Sequence, residues 1–266
     1  MTFDFNPMLA TAGAFTGVLV GLTGVGGGSV MTPILLLIFG TAPMAAVGTD
    51  LWFAAFTKIA ATKVHSARGL IDWQVVRRLW LGSLPASAAT MWWLSTYPVD
   101  AHSTEWVKGA IAMAILVTAT AMLFQEQLHE LGRRLRIGDA ETFKALQPFM
   151  TVACGATLGF LVTLTSIGAG ALGVVFLAYL YPLRLTSSRL IATDIVHAIP
   201  LAMFAGMGHL VAGHVDLNLL GNLLIGSLPG VVVGALLSSK LPQVVLRRTL
   251  SAILVFIGVK LLHAAG

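Results

Sequence analysis

Two stretches of this chain place glycine and hydroxyl residues inside otherwise apolar runs: GLTGVGGGS over 21–29 and TLTSIGAGALG over 163–173. A helix broken in an apolar medium leaves amide N–H groups free at the new N-terminus. Together with the helix dipole these attract an anion without needing a buried cation. The candidate substrate-binding residues are therefore Thr23, Gly24, Gly26, Gly27, Gly28 and Ser29 in the first stretch, and Thr165, Ser166, Gly168 and Gly170 in the second. The threonines and serines add hydroxyl donors. Close helix packing is the plainer use of small residues, but GVGGG holds more glycine than packing asks for. No Gly-Lys-Ser/Thr follows either stretch, which excludes a phosphate-binding P-loop.

Ionisable groups deep in apolar sequence form the second set. Thr49-Asp50 and Thr193-Asp194 lie several residues inside hydrophobic segments. A carboxylate at such depth is costly and is expected to face the interior, either carrying protons or bonded to a neighbouring Thr or helix end. Lys58 either snorkels toward the nearby polar loop or attracts substrate. His197, one turn beyond Asp194, either joins a proton relay or bonds inside the bundle. Thr49, Asp50, Lys58, Thr193, Asp194 and His197 are thus the residues expected to couple or gate. His65 and His209, each four residues before a glycine and seven before an Asp, are expected to cap loops rather than bind metal. The single Cys154 excludes an internal disulfide and a multi-cysteine metal site, and no cofactor or metal is called for.

The elements that position these groups follow from composition. Only 10% of the 266 residues are charged, 57% are hydrophobic, and mean hydropathy is +0.88, values that fit the bilayer rather than water as solvent. Basic residues lie in short loops, where they set topology, so nucleic acid is not an expected partner. Asn6-Pro7 reads as the start of a retained helix rather than a cleaved leader. Residues 5–49 and 145–183 contain no Asp, Glu, Lys or Arg, runs about twice one spanning helix, so each must turn back or break.

Sliding the chain on itself at an offset of 144 aligns Thr49-Asp50 with Thr193-Asp194, His65 with His209, Asp72 with Asp216, and Gly82-Ser83-Leu84-Pro85 with Gly226-Ser227-Leu228-Pro229. At this offset Gly24 and Gly26 fall on Gly168 and Gly170. Corresponding loops carry opposite charge bias: Lys63, Arg68, Arg77 and Arg78 have no basic counterparts over 207–222, whereas Arg184 and Arg189 answer an uncharged loop near 41. By the positive-inside rule the halves are inverted.

The expected fold is an all-α integral membrane protein of two inverted repeats, 1–125 and 147–266, joined by a partly helical cytoplasmic linker, 126–146. Each repeat is a glycine-broken hairpin plus three transmembrane helices: hairpins at 8–41 and 147–181, spans at 44–64, 74–97, 105–125, 186–207, 216–238 and 244–264. This layout places 13 of the 16 basic residues in the cytoplasm, leaving Lys58, Lys108 and Lys260, and puts both termini outside. Pro85 and Pro229 should kink their spans. Trp52, Trp80, Trp92, Trp93 and Trp106, near span ends, look like interface anchors.

GLTGVGGGSVMTPILLL, a following Pro and AVGTDL, His65 with Gly69-Leu-Ile-Asp72, and a degenerate second copy with GAGALG and ATDI together resemble the TauE/SafE sulfite exporter family over nearly the whole chain. The resemblance implies a bacterial inner-membrane transporter moving sulfite, sulfoacetate or related organosulfonates, generally outward. Where the family often has Ser after the Thr of a GTS-like element, this chain has Asp50 and Asp194. A small anion, protons, the lipid bilayer and, as one option for assembly, a second copy of the chain are the expected partners. A passive anion channel is the nearest alternative. An intramembrane enzyme is further off, since no G-x-S-x-G elbow is present.

Overall fold

The computed structural model describes residues 3–23, 28–65, 70–97, 104–138, 140–238 and 243–264. Every regular element among them is helical: α1 (Pro7–Thr23), α2 (Gly28–Leu37), α3 (Pro43–His65), α4 (Trp73–Thr96), α5 (Thr104–Leu123), α6 (Gln125–Gly138), α7 (Ala140–Thr165), α8 (Ala171–Leu180), α9 (Ser187–Val211), α10 (Leu217–Ser238) and α11 (Gln243–Ala264). Among the described residues four segments are long and apolar enough to cross a membrane: Glu105–Leu123, Glu141–Thr165, Ser187–Val211 and Leu217–Leu237. Helices α3, α4 and α11 match them in length, at 23, 24 and 22 residues, but are less apolar. Their bounds fall within two residues of the expected spans.

Helices α7 and α8 fold back on each other. The Gln147 amide donates to the Leu180 carbonyl, and the Thr151 and Tyr181 hydroxyls bond at 2.8 Å, so the end of α8 returns to the level where the apolar part of α7 begins. With 10 residues, α8 is about 15 Å long, half of a roughly 30 Å hydrocarbon core. Helix α2 has the same length, and its Leu35 shares an apolar cluster with Leu9 near the start of α1.

The helices of one half pack on those of the other. Gly13, Gly17 and Gly21 of α1 face Leu223, Ser227 and Val231 of α10, and a Cβ at any of them would lie 2.1 to 2.4 Å from a backbone carbonyl oxygen. Gly155 and Gly159 of α7 face Leu79 and Ser83 of α4 in the same way. Only glycine allows backbones this close, and the reward is dense packing where lipid offers no hydrophobic drive between helices.

These paired contacts correct the gapless register. The α4 and α10 residues differ by 144, but their partners on α1 and α7 differ by 142, as do the helix ends Thr23 and Thr165. Two extra residues lie between Thr165 and Thr193 compared with the stretch from Thr23 to Thr49.

At the centre α3 and α9 cross in opposite directions. Gly48 meets the His214 backbone, and four residues along α3 the Trp52 indole donates to the Gly206 carbonyl at 2.9 Å. Trp80 likewise donates to the His197 carbonyl at 3.2 Å. Neither indole N–H points to a membrane interface, in contrast to the anchor role expected of them. The Trp93 and Trp106 rings pack on each other at a 44° tilt, and Trp92 is exposed.

Candidate functional site

The second glycine-rich stretch is a break. Helix α7 ends at Thr165, Ser166 takes a φ of 59°, and Gly168 and Gly170 take φ of 120° and 113°, a backbone region closed to most side chains. Thr165 Oγ1 donates back to the Leu161 carbonyl and accepts from the Ile167 amide. The Leu172 and Gly173 amides both donate to the Gly168 carbonyl. The amides of Ala169, Gly170 and Ala171 find no acceptor among the described residues. They form the positive end of α8.

In the first stretch α1 ends at Thr23, whose hydroxyl donates to the Leu19 carbonyl, and α2 begins at Gly28. Gly24, Gly26 and Gly27 lie outside the described residues. Gly28 and Ser29 open α2, with only their backbone described.

The titratable residues gather around the two helix starts. Asp50, fully buried on α3, accepts from the Thr32 hydroxyl in α2. Ser166 of the opposite break lies beside the same carboxylate. Asp50 Oδ1 and Ser166 Oγ have no well-formed hydrogen bond. In the other half Asp194 lies against the first turn of α8, where a Cβ on Gly173 would fall 1.9 Å from its Oδ1, and neither carboxylate oxygen is bonded. Each Asp thus reaches the start of its own half's short helix.

Lys58 is 1% exposed, which rules out snorkelling. Its ammonium donates to the Ala169 carbonyl at 3.3 Å and lies within electrostatic reach of Asp194. The reason is direction: α3 presents Lys58 to the break rather than to the loop after it. Lys58 has no cationic counterpart in the other half, where Ala202 stands.

His197 is buried and bonds through Nε2 to Ser83 Oγ at 3.0 Å. Its counterpart is Phe53, and the matching Ser227 hydroxyl is left without a partner. Thr49 and Thr193 turn away from the breaks. Their hydroxyls accept from the Asp216 and Asp72 amides at 3.0 and 3.1 Å, a reciprocal pair that ties α3 to the start of α10 and α9 to the start of α4. Asp216 and Asp72 then cap those helices.

His209 does more than end a loop. Its Nε2–H donates to the Thr163 carbonyl in the last turn of α7 at 2.9 Å, since a carbonyl can only accept, and its Nδ1 faces His214 at 3.2 Å. Burial holds the His214 imidazole below its usual pKa. The side chain of His65 lies outside the described residues. Among the described residues no group of His, Cys, Asp or Glu is placed to hold a metal ion.

A cavity of about 690 Å³ leads to the broken ends. Its lining runs from Glu126 and Glu130 on α6, past Leu183 and Thr186, to Thr23 at the end of α1 and Ala171 at the start of α8. At its mouth, hydrogen bonds from Arg133 and Arg134 hold the Glu130 carboxyl below its usual range.

Thr32, Ser83 and Gly173 were not among the sequence candidates. Ser83 carried a signal, its place in the Gly-Ser-Leu-Pro repeat, and Gly173 closes the second glycine-rich stretch; Thr32 was not singled out, because its role arises from contact with Asp50.

Broken short helices, buried charges between them and a cavity reaching their ends, in a bundle of apolar helices, define a multi-pass membrane protein built around an internal polar site. The profile of the sulfite exporter TauE/SafE family matches residues 9–261, and the chain belongs to that family. It is similar to the probable membrane transporter protein YjnA of Bacillus subtilis, with 35% identity covering 79% of this chain and 81% of the relative. It is also similar to YunE of the same organism, at 24% identity over 79% and 80% of the two chains. MJ0441 of Methanocaldococcus jannaschii is 28% identical over 76% and 70%. Both carry the same description, probable membrane transporter protein. No solved structure matches the chain. The protein is a membrane transporter.

Proposed function

We propose that this transporter exports small sulfur-containing anions, sulfite, sulfoacetate or related organosulfonates, across a bacterial inner membrane, coupled to protons. The observation that carries the reading is the meeting of the two halves' broken ends. Ser166 of one break lies beside Asp50 and Thr32 at the other, Lys58 binds the Ala169 carbonyl, and the 690 Å³ cavity reaches both Thr23 and Ala171. Free amides, unbonded hydroxyl and one buried ammonium suit a compact oxyanion. Sulfite is the anion named in the family's description, and sulfoacetate and other organosulfonates share its sulfur oxyanion chemistry.

Inversion of the halves is part of the proposal. The antiparallel crossing of equivalent helices α3 and α9 supports it, because an axis along the membrane normal would set them parallel. With the basic loops in the cytoplasm, the large cavity opens inward, the state that loads an exporter. Asp50 and Asp194 carry the coupling protons, since a buried carboxylate with one oxygen unbonded, as in Asp50, or both, as in Asp194, is a costly charge beside an anion.

Proteoliposome flux tests this. Wild-type protein should move sulfite or sulfoacetate saturably and faster with a proton gradient, whereas Asp50→Asn and Asp194→Asn should lose the response to the gradient. Current that ignores the gradient would make the protein a channel, and unchanged coupling in both variants would end the proton assignment.

A further inference from the structure

Outside the large cavity, a pocket of about 400 Å³ is lined by four cations and no carboxylate: Arg78 from α4, Arg136 from α6, Lys144 from α7 and Arg184 from the α8–α9 connection. The pocket shares only Pro182 and Leu183 with the large cavity.

Its walls are built rather than incidental. Tyr181 is 1% exposed, and its hydroxyl accepts from Arg78 at 3.4 Å while bonding Thr151. Arg184 is aimed by a two-pronged ion pair with Asp72, at 2.6 and 2.9 Å, and by Gln74 at 2.9 Å. The Asp72 carboxylate is spent on that pair and on the α4 cap. With Arg184 paired to Asp72, the other basic side chains drawn to this pocket from three helices still give it a positive potential that favours an anionic guest. Forked guanidiniums with an ammonium are suited to phosphate oxygens.

What adjoins the pocket narrows the source. Leu146 and Phe149, flanking the lining residues Gln147 and Pro148 on α7, are 49% and 72% exposed, and Leu183 on the pocket wall is 61% exposed. Apolar side chains bared beside a cationic pocket suit acyl chains beside a headgroup.

We infer that this pocket binds a phosphate group, that of an acidic phospholipid at the α6 end of the bundle, at a site separate from the transport path. The inference does not depend on which anion is transported. It joins α4, α6, α7 and the α8–α9 connection through one ligand.

Full-length protein, purified and washed with phosphatidylcholine, is offered phosphatidylglycerol in one arm and inorganic phosphate in the other, and retention is read by native mass spectrometry. Phosphatidylglycerol should be retained over phosphatidylcholine, and Arg78→Gln with Lys144→Gln together should reduce retention about tenfold or more, each tenfold step being about 1.4 kcal/mol. Arg248→Gln, exposed on α11 and outside the pocket, should change nothing. Retention of the lipid without competition by phosphate assigns the site to lipid. Competition by inorganic phosphate assigns the phosphate group itself and a soluble source. Equal retention of both lipids with no phosphate bound, undiminished retention in the double variant, or an equal loss in Arg248→Gln overturns the inference. Lys144→Gln alone, at an exposed position, should show a partial loss even if the double variant fails to fold.

Discussion

Lys58 is the residue on which the anion site leans most. It is the one cation buried between the breaks among the described residues, and it is held by the Ala169 carbonyl next to the free amides of α8. Removing its charge should weaken substrate binding, since the hydrogen-bond partner left behind is a carbonyl and Asp194, within its electrostatic reach, can take up a proton. Lys58→Met is expected to raise the substrate concentration for half-maximal flux by about tenfold or more, roughly the 1.5–3 kcal/mol of a hydrogen bond to a charged group. The pair Asp72 and Asp216 supplies a contrast in stability. Both cap a helix and both receive a threonine from the opposite half, but only Asp72 also holds an arginine. Asp72→Ala should cost about 1 kcal/mol more than Asp216→Ala, a difference readable in thermal unfolding of the purified protein. Equal losses would show that Arg184 adds nothing.

Helix ends were legible in the sequence because charges, prolines and N-cap residues stand at them. Pro43, Asp72 and Thr186 each fall at the start of a helix that composition already delimited. The breaks were legible from glycine in apolar context. What was not legible is which face each helix turns inward. Its distance to the loop leaves Lys58 between snorkelling and substrate attraction, and Trp52 and Trp80 read as anchors from theirs, yet the faces that α3 and α4 turn inward bring all three to interior carbonyls. Periodicity could not reveal this, since helices in lipid are apolar on every face. Glycine spacing on α1 and α7 gave the clearest guide to packing, and it yields a test. Gly159→Ala places a methyl 2.2 Å from the Ser83 carbonyl oxygen and should destabilise by about 1–3 kcal/mol, while Gly109→Ala, with open space around it, should be neutral or slightly stabilising. Equal thermal shifts in the two would contradict the close packing of α4 on α7.

At the scale of the whole molecule, the design is an exchange of elements between halves. α1 lies on α10 and α7 on α4, so neither hairpin is supported by its own repeat alone. The two hairpins approach the centre from opposite ends: the α8–α9 connection lies with Asp72 at one, through Arg184, and the start of α3 lies with His214 and Asp216 at the other. Equivalence of the halves is incomplete where chemistry is expected. Lys58 corresponds to Ala202 in the register of the repeats, and His197 to Phe53, so the buried ammonium and this imidazole each stand in one half only. Such asymmetry suits a site that binds one anion and must release it to one side.

The central claim is that the two broken hairpins enter the bilayer from opposite faces and meet inside it. Gly40 and Leu183 are exposed at the bases of the first and second hairpins. With Cys154→Ser as background, Gly40→Cys and Leu183→Cys should react with a membrane-impermeant maleimide from opposite sides of the membrane, Gly40→Cys from outside and Leu183→Cys only after the cytoplasmic face is opened. Labelling of both from the same side would contradict the account.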